Sequence, residues 1–91
     1  MRKMNCKLYE NQALQFYNNE HRHADSLYKG LVEEANEVYD ALSDEEVIDE
    51  LGDVLWYVTI LANSLGTTID EVMMRNINKL EMRELRGKKN A

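Results

Sequence analysis

Two stretches, Leu31-Val-Glu-Glu-Ala-Asn-Glu37 and Val47-Ile-Asp-Glu-Leu-Gly-Asp-Val-Leu-Trp-Tyr57, decide the fold of this 91-residue chain. Each carries a pair of carboxylates spaced three residues apart. In an α-helix this spacing puts both members of a pair on the same side. We therefore predict two helices, each with one acidic side. The pairs are Glu34 with Glu37, and Glu50 with Asp53.

A short polar turn joins the two predicted helices. Ser43 can cap the second helix, and Glu46 can reach back to complete a capping box. At ~1.5 Å per residue, Glu37 and Glu50 lie roughly 9 to 10 Å from the turn, and the outer member of each pair lies about 14 Å from it. The sequence thus predicts a helical hairpin in which the four carboxylates meet at matching heights.

The phase of the apolar residues indicates which acidic side chains face inward. At about 100° per residue, Glu34 falls inside the apolar arc of the first helix and Glu37 lies at its edge. In the second helix Glu50 lies at the margin of the apolar arc, and Asp53 lies further round. The outward residues of the first helix are Glu33, Asn36 and Asp40. The two arcs are Leu27, Leu31, Ala35, Val38, Ala41 and Leu42, and Leu51, Val54, Val58, Leu61, Ala62 and Leu65.

Four carboxylates at one height need a cation. Unit charges about 4 Å apart repel by roughly 1 kcal/mol in water, and by more where the dielectric constant is lower. Ligand sets made only of oxygen favour Mg²⁺ or Mn²⁺. The residues alone therefore predict a divalent-metal site formed by Glu34, Glu37, Glu50 and Asp53.

Three motifs resemble those of the MazG-like all-α nucleoside triphosphate pyrophosphohydrolases. They are E-E-x-x-E at 33–37, E-x-x-D at 50–53 within Leu-Gly-Asp-Val-Leu-Trp-Tyr, and N-x-x-K-x-x-x-R at 76–83. Twelve residues separate the first two motifs, and the matched segments span roughly 27 to 83. Two acidic pairs at a hairpin spacing, together with a third motif, make the resemblance quite specific. The short turn between the acidic helices favours the compact MazG-like branch over the dimeric dUTPase branch.

The resemblance implies an enzyme and a mechanism. We expect hydrolysis of a (deoxy)nucleoside triphosphate between the α and β phosphates, giving the monophosphate and pyrophosphate in a nucleotide-cleansing role. Mg²⁺, or Mn²⁺, would be held by the four carboxylates, and it would orient the phosphates and lower the pKa of the attacking water. Asn76, Lys79 and Arg83 would bind the substrate. Glu37 or Glu50 could instead be the general base, and the sequence leaves this choice open.

Composition narrows the class of protein further. The absence of proline, with apolar residues at helical spacing, predicts a single all-α domain over 1–91, a four-helix bundle-like fold with frayed ends at 1–3 and 87–91. A net charge of −6 disfavours nucleic acid and anionic membranes as partners. With neither an apolar run behind the N-terminus nor a membrane span, we expect a cytoplasmic protein. Cys6, the single cysteine, excludes an internal disulfide and is interpreted as a packing residue.

The first part of the chain is expected to cover the hairpin. Residues 4–20 predict an amphipathic helix ended by Asn18-Asn-Glu, and its stripe is interpreted as core rather than as a base-stacking platform. The loop with His21, Arg22 and His23 is interpreted as solvent-exposed, although Arg22 could meet a phosphate. Ser26 is predicted to cap a helix over 27–42, in which Gly30 indicates close packing. The stripe of the first helix is Cys6, Tyr9, Ala13, Phe16 and Tyr17.

The third helix is apolar nearly all round from Val54 to Ala62, which predicts burial on more than one side. Trp56, Tyr57 and Ile60 lie off its core arc, so they face a partner subunit, or wall the substrate site, or do both. The resemblance implies homodimers or dimer-based homotetramers.

A fourth helix is predicted from the capping box of Thr68 and Glu71 to about residue 86, after Gly66 ends the third helix. The helical phase places Asn76 and Arg83 within its apolar stripe and Lys79 at the edge. The phase alone leaves phosphate binding and a structural role equally open, and the resemblance favours phosphate binding. The stripe is Ile69, Val72, Met73, Ile77 and Leu80.

Two other classes compete with the enzyme. A noncatalytic helical interaction or regulatory module that retains the scaffold explains the apolar third helix, but it does not explain inward-pointing Glu34, Asn76 and Arg83. A metal-storage protein would need no basic residues opposite the carboxylates.

Overall fold

The chain folds into helices alone in the part that the structure, a computed structural model, describes, namely residues 3–17 and 24–89. The predicted all-α class is therefore confirmed. No described helix is both long and apolar enough to cross a lipid bilayer. The elements are α1 (Cys6–Gln15), α2 (Ala24–Asp40), α3 (Asp44–Ser64) and α4 (Ile69–Lys89).

The predicted hairpin is formed by α2 and α3, which make the most extensive helix contact in the described chain. Its turn is fixed by the predicted cap, because the N–H of Glu46 donates to Ser43 Oγ at 3.2 Å. The side chain of Glu46 also reaches back, but its Oε2 accepts from the N–H of Leu42 at 3.0 Å, one residue before the expected donor. The three acidic residues at 44–46 lie in the first turn of α3, where the helix dipole favours negative charge.

Helix α1 covers the side of α3 that faces away from α2. The indole N–H of Trp56 donates to the carbonyl of Ala13 at 3.0 Å, so α1 and α3 are joined by a hydrogen bond as well as by packing. Ile60 is 1% exposed, and the hydroxyl of fully buried Thr59 donates to the carbonyl of Leu55 at 2.8 Å. The buried core of the described chain is small and consists of Ala13, Leu27, Thr59, Ile60, Ala62 and Ile69.

Glu10 joins three helices at one end of the molecule. Its Oε2 accepts from the side-chain amide of Asn63 on α3 and from the backbone N–H of Ile69, the first residue of α4, each at 3.0 Å. Gly66, with φ of +82°, turns the chain just after α3, as predicted. Thr68 caps α4 by accepting from the N–H of Glu71 at 3.2 Å, whereas the Glu71 side chain pairs with Arg75 instead of closing a box.

Several predicted helix ends were wrong. Helix α1 ends at Gln15, α2 begins at Ala24, and α4 continues to Lys89, beyond the predicted 86. Ser26 therefore lies in the first turn of α2, where its own N–H lacks an intrahelical acceptor in any case, and does not cap the helix. The residues at 18–23, which include the predicted helix end and both histidines, lie outside the described part.

The predicted burial needs correction on both helices of the hairpin and on α4. Ile60 does not face a partner, because α1 buries it within the chain. A single arc was assumed for α3, but α1 and α2 cover different sides of that helix, so its buried side chains do not form one stripe. The predicted core residues that are exposed are Ala35, Leu42, Leu51 and Leu65 of the hairpin and the turn that follows it, together with Phe16 of the α1 stripe and Val72, Met73, Ile77 and Leu80 of the α4 stripe.

Candidate metal centre

Three of the four predicted carboxylates meet between α2 and α3. Glu34, Glu50 and Asp53 each offer an oxygen, and these atoms all lie within 4.8 Å of one another. Glu34 and Glu50 are half-buried, and Asp53 is exposed. The cluster follows from the helical spacing and from the capped turn, which fixes the register of one helix against the other.

Glu37, the fourth predicted ligand, stands outside this cluster. Its side chain is exposed, but its negative charge contributes to raising the pKa of both Glu34 and Glu50, so it lies beside them. Glu33, predicted to face away, is exposed, yet its charge also acts on Glu34. Asp40 is exposed, as predicted.

Burial and mutual repulsion hold protons on the cluster. Desolvation is the largest cause of the raised pKa of Glu34, followed by the charges of Asp53 and Glu50. Desolvation also raises the pKa of Glu50 most, followed by the charge of Asp53, with a hydrogen bond between these two side chains adding to the shift. A carboxyl-to-carboxylate hydrogen bond requires a proton, and a bound cation would replace that proton.

The donor set suits a hard divalent cation. All its atoms are carboxylate oxygens. Two ligands about 2.1 Å from one Mg²⁺ lie at most about 4.2 Å apart, so the oxygens within 4.8 Å need to contract by only a few tenths of an ångström. The site therefore fits Mg²⁺ or Mn²⁺ better than metals that prefer sulfur or nitrogen ligands.

A cleft of about 430 Å³ opens beside the carboxylates. It is lined by Phe16, Glu34, Asp53, Trp56 and Tyr57, so acidic groups and aromatic rings share one space. The rings of Trp56 and Tyr57 meet edge to face with centroids 5.0 Å apart. Of the two roles predicted for Trp56 and Tyr57, walling the site agrees with this geometry.

Gly30 allows Tyr57 to approach α2, which confirms the close packing predicted at this glycine. A Cβ at position 30 would overlap the Cε1 and Cζ atoms of the Tyr57 ring. Desolvation, and next the charge of Glu34, raise the pKa of the Tyr57 phenol, so it stays neutral beside the carboxylates. The absence of a side chain at 30 thus places one wall of the cleft.

Tyr9 is a neighbour of the site that the sequence did not assign. Its pKa is raised by desolvation and then by the charge of Asp53, so α1 brings this phenol within electrostatic reach of the cluster. The sequence placed Tyr9 on the covering stripe of α1, but the phase of one helix does not show which part of another helix it covers.

The predicted substrate-binding residues are not brought to the carboxylates within the described chain. Asn76, Lys79 and Arg83 are all exposed on α4, so the inward positions predicted for Asn76 and Arg83 were wrong for this chain. Helix α4 packs on α1 and α3 and, in the part described, does not contact α2, which carries Glu34. The helical phase was interpreted as if the apolar stripe of α4 faced its own chain.

Comparisons with known proteins agree with the arrangement of the hairpin. The family model of the MazG nucleotide pyrophosphohydrolase domain matches residues 22–86. A segment of 38 residues is 55% identical to the Gene 37 protein of Mycobacterium phage L5, covering 42% of this chain and 33% of the phage protein. The match therefore spans about a third of that relative's length. No solved structure matches the chain.

Proposed function

This chain belongs to the MazG nucleotide pyrophosphohydrolase family, and from that premise we propose that it hydrolyses a (deoxy)nucleoside triphosphate between the α and β phosphates. The products are the monophosphate and pyrophosphate, and the role is to clear unwanted nucleotides from the cytoplasmic pool. The observation that carries the proposal is the cluster of Glu34, Glu50 and Asp53 at the wall of a cleft lined with aromatic rings.

Glu34, Glu50 and Asp53 hold the divalent cation in this proposal, and Glu37 completes the acidic shell. Bound Mg²⁺ or Mn²⁺ supplies positive charge to the phosphate oxygens and lowers the pKa of the attacking water. Glu37 is exposed beside the cluster and outside it, which favours Glu37 over Glu50 as the general base. It accepts the proton of the water as the bond between the α phosphorus and the β phosphate breaks and pyrophosphate leaves.

The aromatic end of the cleft takes the nucleoside. Phe16 and Trp56 offer ring faces on which any nucleobase can stack, since stacking depends little on base identity. Tyr57, which is neutral and lies between these rings and Glu34, positions the sugar or the first phosphate by donating from its hydroxyl.

Asn76, Lys79 and Arg83 bind the phosphates in the proposal, which here rests on their match to the family motif. Because α4 of the described chain does not reach α2, these side chains come from a neighbouring copy in a homodimer or dimer-based homotetramer. Residues 1–91 act as one helical domain in this assembly.

The experiment is hydrolysis of pooled ribonucleoside and deoxynucleoside triphosphates with Mg²⁺, followed as pyrophosphate release. We expect pyrophosphate, and we expect EDTA to abolish it. Orthophosphate as the only phosphate product, with contaminating phosphatase excluded by the inactive Asp53→Asn protein, would contradict the cleavage position.

A noncatalytic interaction module is the second candidate, and the exposure of the three α4 residues favours it. The same assay separates the two functions. Absence of turnover with every triphosphate, in a folded protein that binds Mg²⁺, would support the interaction module.

A further inference from the structure

The hairpin leaves one side of both its helices uncovered and apolar. On α2 this stripe consists of Tyr28, Val32, Ala35 and Tyr39, of which Tyr39 is 88% exposed. On α3 it consists of Ile48, Leu51 and Leu55, of which Ile48 is 66% exposed. Apolar side chains at helical spacing are ordinarily the buried face of a helix, so two exposed stripes side by side need a partner.

The two stripes lie on the same side of the hairpin. On each helix the stripe is about a quarter to a third of a turn from the line of α2–α3 contact, and the site carboxylates lie on that line or beyond it in the other direction. The helices are antiparallel, so both stripes open towards one side and the carboxylates towards the opposite side. We call these seven stripe residues the apolar face.

The apolar face continues onto α4. Leu55 of the face and Met73 of α4 line the same cavity of about 270 Å³. From Met73 the stripe runs along α4 through Ile77 and Leu80, all of them exposed. Contact between α4 and the rest of the described chain is anchored at its first residue, Ile69, which is buried and bonded to Glu10.

The whole chain exposes more surface than a compact monomer of its size. Its accessible surface is 7561 Å², against about 5,500 Å² expected for a folded monomer of 10.7 kDa. Its radius of gyration is 15.8 Å, against about 12 Å for a compact domain of this length. A stable interface buries about 800 Å² on each partner, so an excess of about 2,000 Å² is ample for one.

We propose that the apolar face is the interface with a second copy of this chain. A two-fold axis sets the same apolar face on both copies, and the acidic clusters then point away from each other on the outer sides. The net charge of −6 disfavours an anionic membrane or nucleic acid as the occupant. The interface is therefore on the outer face of α2 and α3, not at Trp56 and Ile60, which α1 covers.

The test measures assembly mass by sedimentation at micromolar concentration. The wild type is expected at twice 10.7 kDa or a multiple of it. Val32→Glu and Leu51→Glu each place like charges across the two-fold axis, and each should raise the dissociation constant by about 100-fold or more with helicity retained. Met82→Glu is the matched control, because Met82 is an exposed methionine on the side of α4 away from its stripe, and it should keep the wild-type mass.

Thiol labelling keeps the test valid if a charged variant fails to fold. In a Cys6→Ser background, Val32→Cys should label slowly at micromolar concentration and faster on dilution, whereas Met82→Cys should label at one rate throughout. A wild-type monomer with native helicity, or a Val32→Cys rate that is independent of protein concentration, would overturn the interface. Neither readout needs turnover, so an inactive dimer would refute the proposed function alone and an active monomer would refute the interface alone.

Discussion

Gly30 is a single residue whose missing side chain shapes the cleft. Alanine in a helix interior is favoured over glycine by about 0.5 to 1 kcal/mol. At position 30, however, a Cβ would collide with the Tyr57 ring. We therefore expect Gly30→Ala to lose the propensity gain or to destabilise the protein, and to regain it in a Tyr57→Ala background. Urea unfolding of the four proteins measures this.

Gly52 is the matched control for that cycle. It lies inside α3 with nothing within 4 Å of a built Cβ, so Gly52→Ala should raise the free energy of unfolding by about 1 kcal/mol. If Gly30→Ala stabilises the wild type as much as Gly52→Ala does, the contact between Tyr57 and α2 is not present in solution.

The site carboxylates should trade stability for activity. Glu34→Gln, Glu50→Gln and Asp53→Asn nearly preserve shape while removing charge, so turnover should fall by about 100-fold or more. The metal-free variants should be as stable as the wild type or more stable, because neutralisation relieves repulsion. Their Mg²⁺-induced rise in Tm should shrink, since a ligand stabilises only the state that binds it.

Two further variants sharpen this comparison. Glu37→Gln should lose turnover while keeping most of the Mg²⁺ effect on Tm, as expected of a base outside the cluster. Asp40→Asn, exposed on the same helix, should change neither and is a better control than Glu33→Gln, because the charge of Glu33 acts on Glu34. Inner variants that lose metal-free stability and keep the Mg²⁺ effect would show that these carboxylates are not metal ligands.

At the scale of the helix pair, the acidic cluster makes the hairpin sensitive to pH. Raised pKa values of Glu34 and Glu50 mean that the folded state binds more protons than the unfolded state above pH 4.5. The free energy of unfolding contributed by these groups is therefore present below pH 4.5 and lost as pH rises through the raised values.

The measurement is urea unfolding in EDTA at several pH values, for the wild type and for the Glu34→Gln, Glu50→Gln double variant. The stability of the wild type relative to the double variant should decrease as pH rises from 4.5. A difference that stays constant, or that increases with pH, would mean that the two side chains are not crowded in solution.

The sequence predicted the elements better than their packing, for a physical reason. The hairpin depends on local signals, the apolar period and the Ser43 cap, which act within a few residues and are readable from the chain. Trp56 and Ile60 looked like partner-facing residues because their cover, α1, is distant in sequence. Tyr9 was missed as a neighbour of the site for the same reason, since its role depends on where α1 crosses α3.

The α4 residues show the same limit. The helical phase correctly placed Met73, Ile77 and Leu80 on one stripe, but it cannot distinguish a stripe that faces its own chain from one that faces another copy. Asn76 and Arg83 were predicted to point inward because the first alternative was assumed.

At the scale of the whole molecule, assembly and catalysis are linked. If α4 of one copy supplies phosphate ligands to another, Val32→Glu and Leu51→Glu should lose turnover together with the dimer. Met82→Glu should keep both. Dilution of the wild type below its dissociation constant should lower the turnover per chain in the same way.

Phosphorus NMR of the products tests the central claim most directly. A single triphosphate that the pooled assay identifies as a substrate is incubated with Mg²⁺ and the wild type, beside Asp53→Asn and a sample with EDTA. We predict equal amounts of the nucleoside monophosphate and pyrophosphate from the wild type, and no products from the other two. A nucleoside diphosphate with orthophosphate, or wild-type turnover that continues in EDTA, would contradict the metal-dependent cleavage assigned to Glu34, Glu50 and Asp53.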